Sequence, residues 1–130
     1  VVNTASRCGY TPQFSGLDDL YKEYGATDFT ILGFPSNDFA DQDPGAEIEI
    51  ASVCYVDYGV GFPMFEKTHV RGERANPFYR NLIRKTGVSP GWNFHKYLIG
   101  KDGEVIGEFP SQVRPESPVL REAIRRALNE

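Results

Sequence analysis

Cysteine is scarce in this chain: 130 residues hold two, Cys8 and Cys54. Two thiols this far apart form neither a disulfide framework nor a CxxC pair. The two histidines, His69 and His95, stand apart from both, so no zinc-ligand spacing arises and no metal site is expected. Long apolar runs are also missing; none approaches the ~20 residues of a membrane span. Positive charge is in deficit, with 14 Lys and Arg against 18 Asp and Glu and a net charge of -4. That balance argues against nucleic acid or an anionic membrane as the main partner. There is no repeat, low-complexity segment or linker. With 40% hydrophobic and 25% charged residues the chain reads as globular, a single domain over residues 1–130. It opens at Val1 within what reads as a strand, so the start of that strand is expected to be missing, and with it any evidence about a signal peptide. The sparing use of cysteine suits a reducing, cytoplasmic compartment.

What is present is an alternation of strand and helix patterns. Val1 to Ala5 reads as the tail of a buried strand. Pro12 is well placed to open a helix in which Leu17, Leu20, Tyr21 and Tyr24 fall at helical spacing, with Gly25 as its stop. Phe29 to Phe34, closed by Pro35, carries the signature of a central strand. Asp43-Pro44-Gly45 looks like a helix cap with proline in the first turn. Residues 46–58 read as a weak helix, since β-branched Ile48, Ile50, Val53 and Val56 lower helix propensity. A turn-rich stretch comes next, then a helix from Asn76 to about Lys85. Residues 95–100 and 104–109 flank Lys101-Asp102-Gly103, a strong hairpin signal. Pro118 to Glu130 is an amphipathic helix with Leu120, Ile124 and Leu128 on one face. This order fits an α/β fold of the thioredoxin-like type, a central mixed β-sheet flanked by helices.

Cys8 falls where the first strand gives way to the first helix, a point rich in unpaired backbone N–H groups and close to the positive end of the helix dipole. Such a setting suits a nucleophilic thiolate, but it suits a small buried residue equally well. Cys54, late in the weak helix, is either a half-buried packing residue or a second thiol that meets an oxidised Cys8. Trp92 and Asn93 precede a strand, and Gln42 comes after one, so these neutral donors belong to loops that meet at one end of an open α/β sheet. Read singly, each is also an ordinary packing or turn residue. Asp38, Asp41 and Asp43 around Gln42 are expected to form a solvated loop, and Arg7 beside Cys8 is a surface charge or a partner for the thiol.

Five ordered blocks carry a stronger signal. They are Asn3-Thr4-Ala5-Ser6-Arg7-Cys8-Gly9-Tyr10-Thr11, Leu32-Gly33-Phe34-Pro35-Ser36-Asn37-Asp38-Phe39, Gln42-Asp43-Pro44-Gly45, Phe62-Pro63-Met64-Phe65-Glu66-Lys67 and Trp92-Asn93-Phe94. Together they resemble the glutathione peroxidase family along essentially the whole chain. The resemblance implies a thioredoxin-like fold whose N-terminal hairpin is missing here. It places Cys8 at the peroxidatic position, Gln42, Trp92 and Asn93 on the rest of the catalytic tetrad, and Cys54 on the resolving position of the cysteine-containing, thioredoxin-dependent members. The sequence departs from the family pattern at Ser36, where cysteine is common, and at Asp38, where glutamine is usual. Ala40-Asp41 stands in place of a glycine-led pair, and Thr4 in place of a frequent valine. The short stretch from Gly87 to Gly91 lacks the insertion that builds a tetramer in some relatives, which implies a monomer or small oligomer.

The implied function is reduction of hydrogen peroxide or organic hydroperoxides through a Cys8 sulfenic acid. A Cys8–Cys54 disulfide would then form and be recycled by thioredoxin rather than glutathione. No cofactor is expected beyond that thiol reductant. A peroxide sensor or thiol-disulfide relay would use the same cysteines, and a non-catalytic thioredoxin-like binding domain would react slowly with peroxide.

Overall fold

A computed structural model describes residues 1–129. The elements run β1 (Val2–Thr4), α1 (Gln13–Tyr24), β2 (Gly33–Pro35), α2 (Glu47–Ala51), α3 (Pro77–Thr86), β3 (Lys96–Ile99), β4 (Val105–Phe109) and α4 (Pro118–Leu128). Between α2 and α3 a π-helical turn, Ser52–Asp57, continues α2 without a break. The sheet order is β2-β1-β3-β4. β1 and β2 are parallel, with Asn3 opposite Phe34, while β3 runs antiparallel to both β1 and β4.

Side-chain alternation along these short strands divides the core in two. On one face Val2, Phe14, Leu17 and Leu20 pack with Leu120 and Ile124, seating α1 and α4. On the other, Phe34, Tyr79, Leu82 and Tyr97 seat α3. This helix–sheet–helix arrangement is the thioredoxin-like fold expected from the element order. α3 shows why its sequence is helical: Asn76 caps it by accepting the Tyr79 N–H at 2.8 Å, and Pro77 fills the first turn. Arg84 and Lys85 sit in the last turn, and Gly87 ends it at φ 71°. The hairpin between β3 and β4 turns at Gly103, φ 85°, as Asp102-Gly103 predicts.

Two expectations are corrected and a third is refined. Phe29 to Phe34 is not a central strand: only Gly33–Pro35 pairs, and β2 is the outer strand of the ladder beside β1. β1 offers only three residues to pair with, and Pro35, which lacks an N–H, is tolerated at an edge. The outer side of β2 is covered instead by residues 63–65, through Gly33 N–H to Pro63 O at 3.0 Å and Phe65 N–H to Gly33 O at 2.8 Å. Asp43 is not a helix cap; α2 begins after Ala46, and Asp43 turns inward. The weak helix over 46–58 does form, but its second half widens to π geometry, with Tyr58 N–H reaching Val53 O at 3.2 Å. The final helix extends to Leu128, and Glu130 lies outside the described residues.

Candidate active site

Cys8 occupies a tight loop between β1 and α1. Its N–H donates to Thr11 Oγ1 at 2.9 Å, and that hydroxyl donates to Ala5 O at 2.9 Å, so one threonine ties both ends of the loop. Tyr10 N–H meets Cys8 Sγ at 3.4 Å. The thiol is half-buried and unoxidised, and Arg7 beside it is exposed.

The loop after β2 is docked against this one. Arg7 N–H donates to Gln42 O at 2.9 Å. Asp43, 0% exposed, accepts from both Ser6 N–H (3.1 Å) and Ser6 Oγ–H (2.7 Å). Burial raises the Asp43 carboxyl above its ordinary range, with the two Ser6 hydrogen bonds and nearby Lys67 opposing the shift. Asp38 is also spoken for. Burial works against its charge, yet Val70 N–H, His69 and Arg71 together hold its carboxyl below the usual range. Of the three acidic residues around Gln42, only Asp41 is exposed, so the expected solvated cluster is corrected: two of its members are struts.

Trp92 and Asn93 come from the opposite chain direction. Because β3 is antiparallel to β1, the residues entering β3 lie at the end where β1 and β2 leave the sheet. Asn3 fastens them there, donating from Nδ2 to Trp92 O at 3.0 Å and accepting Phe94 N–H at 2.7 Å. Asn93, 0% exposed, donates from Nδ2 to Gln42 Oε1 at 3.0 Å. The Trp92 ring leans on Phe39, centroids 5.6 Å apart.

The fold therefore gathers the Cys8 loop, Gln42, Trp92 and Asn93 at one sheet end, and joins Gln42 directly to Asn93. With Gln42 Oε1 engaged by Asn93, its Nε2 is the end left to donate. The sulfur itself takes its hydrogen bond from Tyr10, not from Gln42, Trp92 or Asn93. Backbone strain marks the same place: Ala40 (φ 52°), Asp41 (φ 54°) and Phe94 (φ 63°) are non-glycine residues in the left-handed region, flanking Gln42 on one side and Asn93 on the other.

Cys54 stands apart. It is not half-buried but 1% exposed, inside the core cluster that includes Val60 and Phe62, and carries a free thiol. Burial, with Asp18 adding to it, pushes that thiol up to about 12. A small cleft of about 170 Å³ lined by Pro35, Ile50, Tyr55, Met64 and Phe65 runs past it. Reading the sequence missed Thr11 and Asp43 as the residues that brace the Cys8 loop. The spacing of Thr11 from Cys8 is a usable signal for a hydroxyl closing a turn. Asp43 offered none, since Asp before Pro looks the same in a cap.

Comparison with known proteins shows the family. The family model described as glutathione peroxidase matches residues 1–83. A glutathione peroxidase of Lactococcus lactis subsp. cremoris is 47% identical, covering 98% of this chain and 83% of its own length. The thioredoxin/glutathione peroxidase BtuE of Escherichia coli is 39% identical over the same shares of the two chains. Among solved structures, the crystal structure of Trgpx in apo form superposes with a TM-score of 0.74 at 36% identity, covering 99% of this chain and 78% of that one. A chain with this fold, this sheet-end cluster and these relatives belongs to the glutathione peroxidase family.

Proposed function

We propose that the protein reduces hydroperoxides with Cys8 as the attacking thiol. In this reading the Cys8 thiolate attacks the terminal peroxide oxygen, the O–O bond breaks, and the alkoxide or hydroxide leaves with a proton as alcohol or water. Sulfur is oxidised to sulfenic acid. Gln42, oriented by Asn93, supplies a donor for the sulfur or for the departing oxygen, and Trp92 supplies its indole N–H. Cys54 then displaces water from the sulfenic acid to form a Cys8–Cys54 disulfide, and a dithiol such as reduced thioredoxin restores both thiols. The observation that carries the reading is the Asn93–Gln42 hydrogen bond at the sheet end that also bears the Cys8 loop. Thioredoxin as reductant is supported by the name of the Escherichia coli relative. The buried Cys54 thiol requires its π-helical turn to open before it reacts, and π geometry is a local weakness often found at functional positions.

The test is stopped-flow consumption of hydrogen peroxide and cumene hydroperoxide with thioredoxin or glutathione as sole reductant. Cys8→Ser is expected to reduce turnover to background. Cys54→Ser is expected to retain one oxidation per chain while losing thioredoxin-driven cycling. Undiminished activity in Cys8→Ser would sink the proposal, and undiminished thioredoxin cycling in Cys54→Ser would remove Cys54 from it.

A further inference from the structure

One buried titratable group beside the tetrad has no part in the proposed peroxide chemistry. His95 comes directly after Phe94, is 4% exposed, and touches two elements at once. Its Nδ1 accepts Gly91 N–H at 3.4 Å, closing the five-residue turn that presents Trp92 and Asn93. Its Nε2 lies 2.7 Å from Glu108 Oε2 on β4. The contact is not a well-formed hydrogen bond, and Glu108 acts on the ring through the charge of its carboxylate. The ring packs on Tyr97, centroids 5.1 Å apart, and Tyr97 is anchored by its hydroxyl to Val88 O at 2.6 Å. An imidazole that accepts at Nδ1 must be the neutral form protonated at Nε2. Once protonated at both nitrogens it would turn an N–H toward Gly91 N–H, two donors facing each other, and the turn would lose its clasp.

We propose that neutral His95 is a positioning residue that holds the Trp92–Asn93 turn through Gly91, and that protonating it releases the turn. The proposal rests on the peroxidase reading only for its effect on rate; the movement of the turn stands without it. The charged and titratable groups facing His95 are Glu108 on β4, Lys96 beside it on β3, and Tyr97, beyond which lies Tyr79 of α3. Burial lowers the His95 pKa, Glu108 opposes that, and Lys96 adds to it, so the net direction is below the ordinary ~6.5. Release is therefore expected on the acid side of that value, and the turn is closed at neutral pH.

Trp92 is the only tryptophan, so its emission reports on this turn and on its packing against Phe39. The experiment is a titration of tryptophan fluorescence from pH 8 to 5 in the Cys8→Ser protein, where ionisation of that thiol cannot contribute. A transition with a midpoint below 6.5 is expected. His95→Phe should abolish it. His95→Asn, whose side-chain oxygen can accept Gly91 N–H at every pH, should also abolish it while keeping the neutral-pH emission. Glu108→Gln should move the midpoint to lower pH. His69, the other histidine, pairs with Asp38 at 2.6 Å near Phe39, so His69→Gln is the control and should leave the transition in place.

With Cys8 restored, the rate of Cys8 oxidation by peroxide at pH 7.5 is expected to fall about tenfold in His95→Phe, the scale of one positioned hydrogen bond. It should stay within about twofold of the parent in His95→Asn. The proposal is overturned if the parent shows no transition, if the transition survives in His95→Phe or His95→Asn, or if it vanishes in His69→Gln. Should His95→Phe not fold, the Asn and Glu108→Gln variants decide. A fluorescence transition of this pattern in a protein inert to peroxide would uphold the turn and refute the peroxidase reading.

Discussion

At the scale of single residues, the site is braced by groups that carry no chemistry themselves. Asp43 is the clearest case, because it joins the Cys8 loop to the Gln42 loop through Ser6. Its raised pKa means that the buried site favours the neutral form, so keeping the charge there costs stability at pH 7. Asp43→Asn keeps an oxygen for both Ser6 donors and removes the charge. It is expected to be neutral or stabilising, by up to ~1 kcal/mol, whereas Asp43→Ala leaves the donors unmet and should cost about 2–3 kcal/mol. Urea denaturation of the two variants at pH 7 checks the signs, and equal losses would contradict the role assigned to the charge. Five ordered motifs single out Cys8, Gln42, Trp92 and Asn93 in the sequence, and the fold brings the Cys8 loop, Gln42, Trp92 and Asn93 to one sheet end. The brace at Asp43 was not legible, since it is defined by Ser6 across space, whereas Thr11 bonds to Cys8 and Ala5 close by in sequence and carried a local signal.

Among the elements, the π-helical turn is the most informative. The sequence already carried its signature, four β-branched residues under a weak helix pattern, but no periodicity argument separates a wide turn from an α-helical one. Strand extent was similarly illegible: the apolar run before Pro35 is longer than the ladder available to it, and pairing is set by the three residues of β1. α3 and the β3–β4 hairpin were fully readable because their caps and turn residues are local. The π-helical turn places Cys54 at 1% exposure, and Asp18 holds the chain just beyond that turn by accepting Gly61 N–H at 2.7 Å. In the reduced protein Cys8 should therefore alkylate with iodoacetamide at least ~10-fold faster than Cys54, as read by peptide mass spectrometry. Asp18→Ala should narrow that gap by loosening the segment after the turn. Equal reactivity of both thiols in the folded protein would show that the turn is open at rest.

On the scale of the whole molecule, Lys96 spans the core between β3 and the start of α1. Its Nζ donates to Gln13 Oε1 at 2.7 Å, to Val113 O at 2.6 Å and to Ser111 O at 3.4 Å. Burial lowers its pKa to about 7, with Glu116 opposing the shift. The unfolded chain, titrating near ~10.4, then binds more protons than the native state above pH 7, so stability rises with pH there. Cys54 works the other way only above the ~8.5 of an unfolded thiol. Between pH 7 and 8.5 the Lys96 contribution should add about 1.5 kcal/mol to the unfolding free energy. Chemical denaturation at those two pH values should show a rise about 1.5 kcal/mol larger in the parent than in Lys96→Met, where the buried Val1 amino group still contributes; equal rises would refute it. The sheet order carries a last consequence. β1 is the strand on which both halves of the sheet pair, and its partner β3 and the Trp92–Asn93 turn come some ninety positions later, as the Asn3–Trp92 separation of 89 shows. During synthesis on the ribosome the Cys8 loop must wait for the Trp92–Asn93 turn before its opposite wall exists. A nascent or C-terminally truncated chain is therefore a thiol without a site, and peroxidase competence should switch on late and all at once.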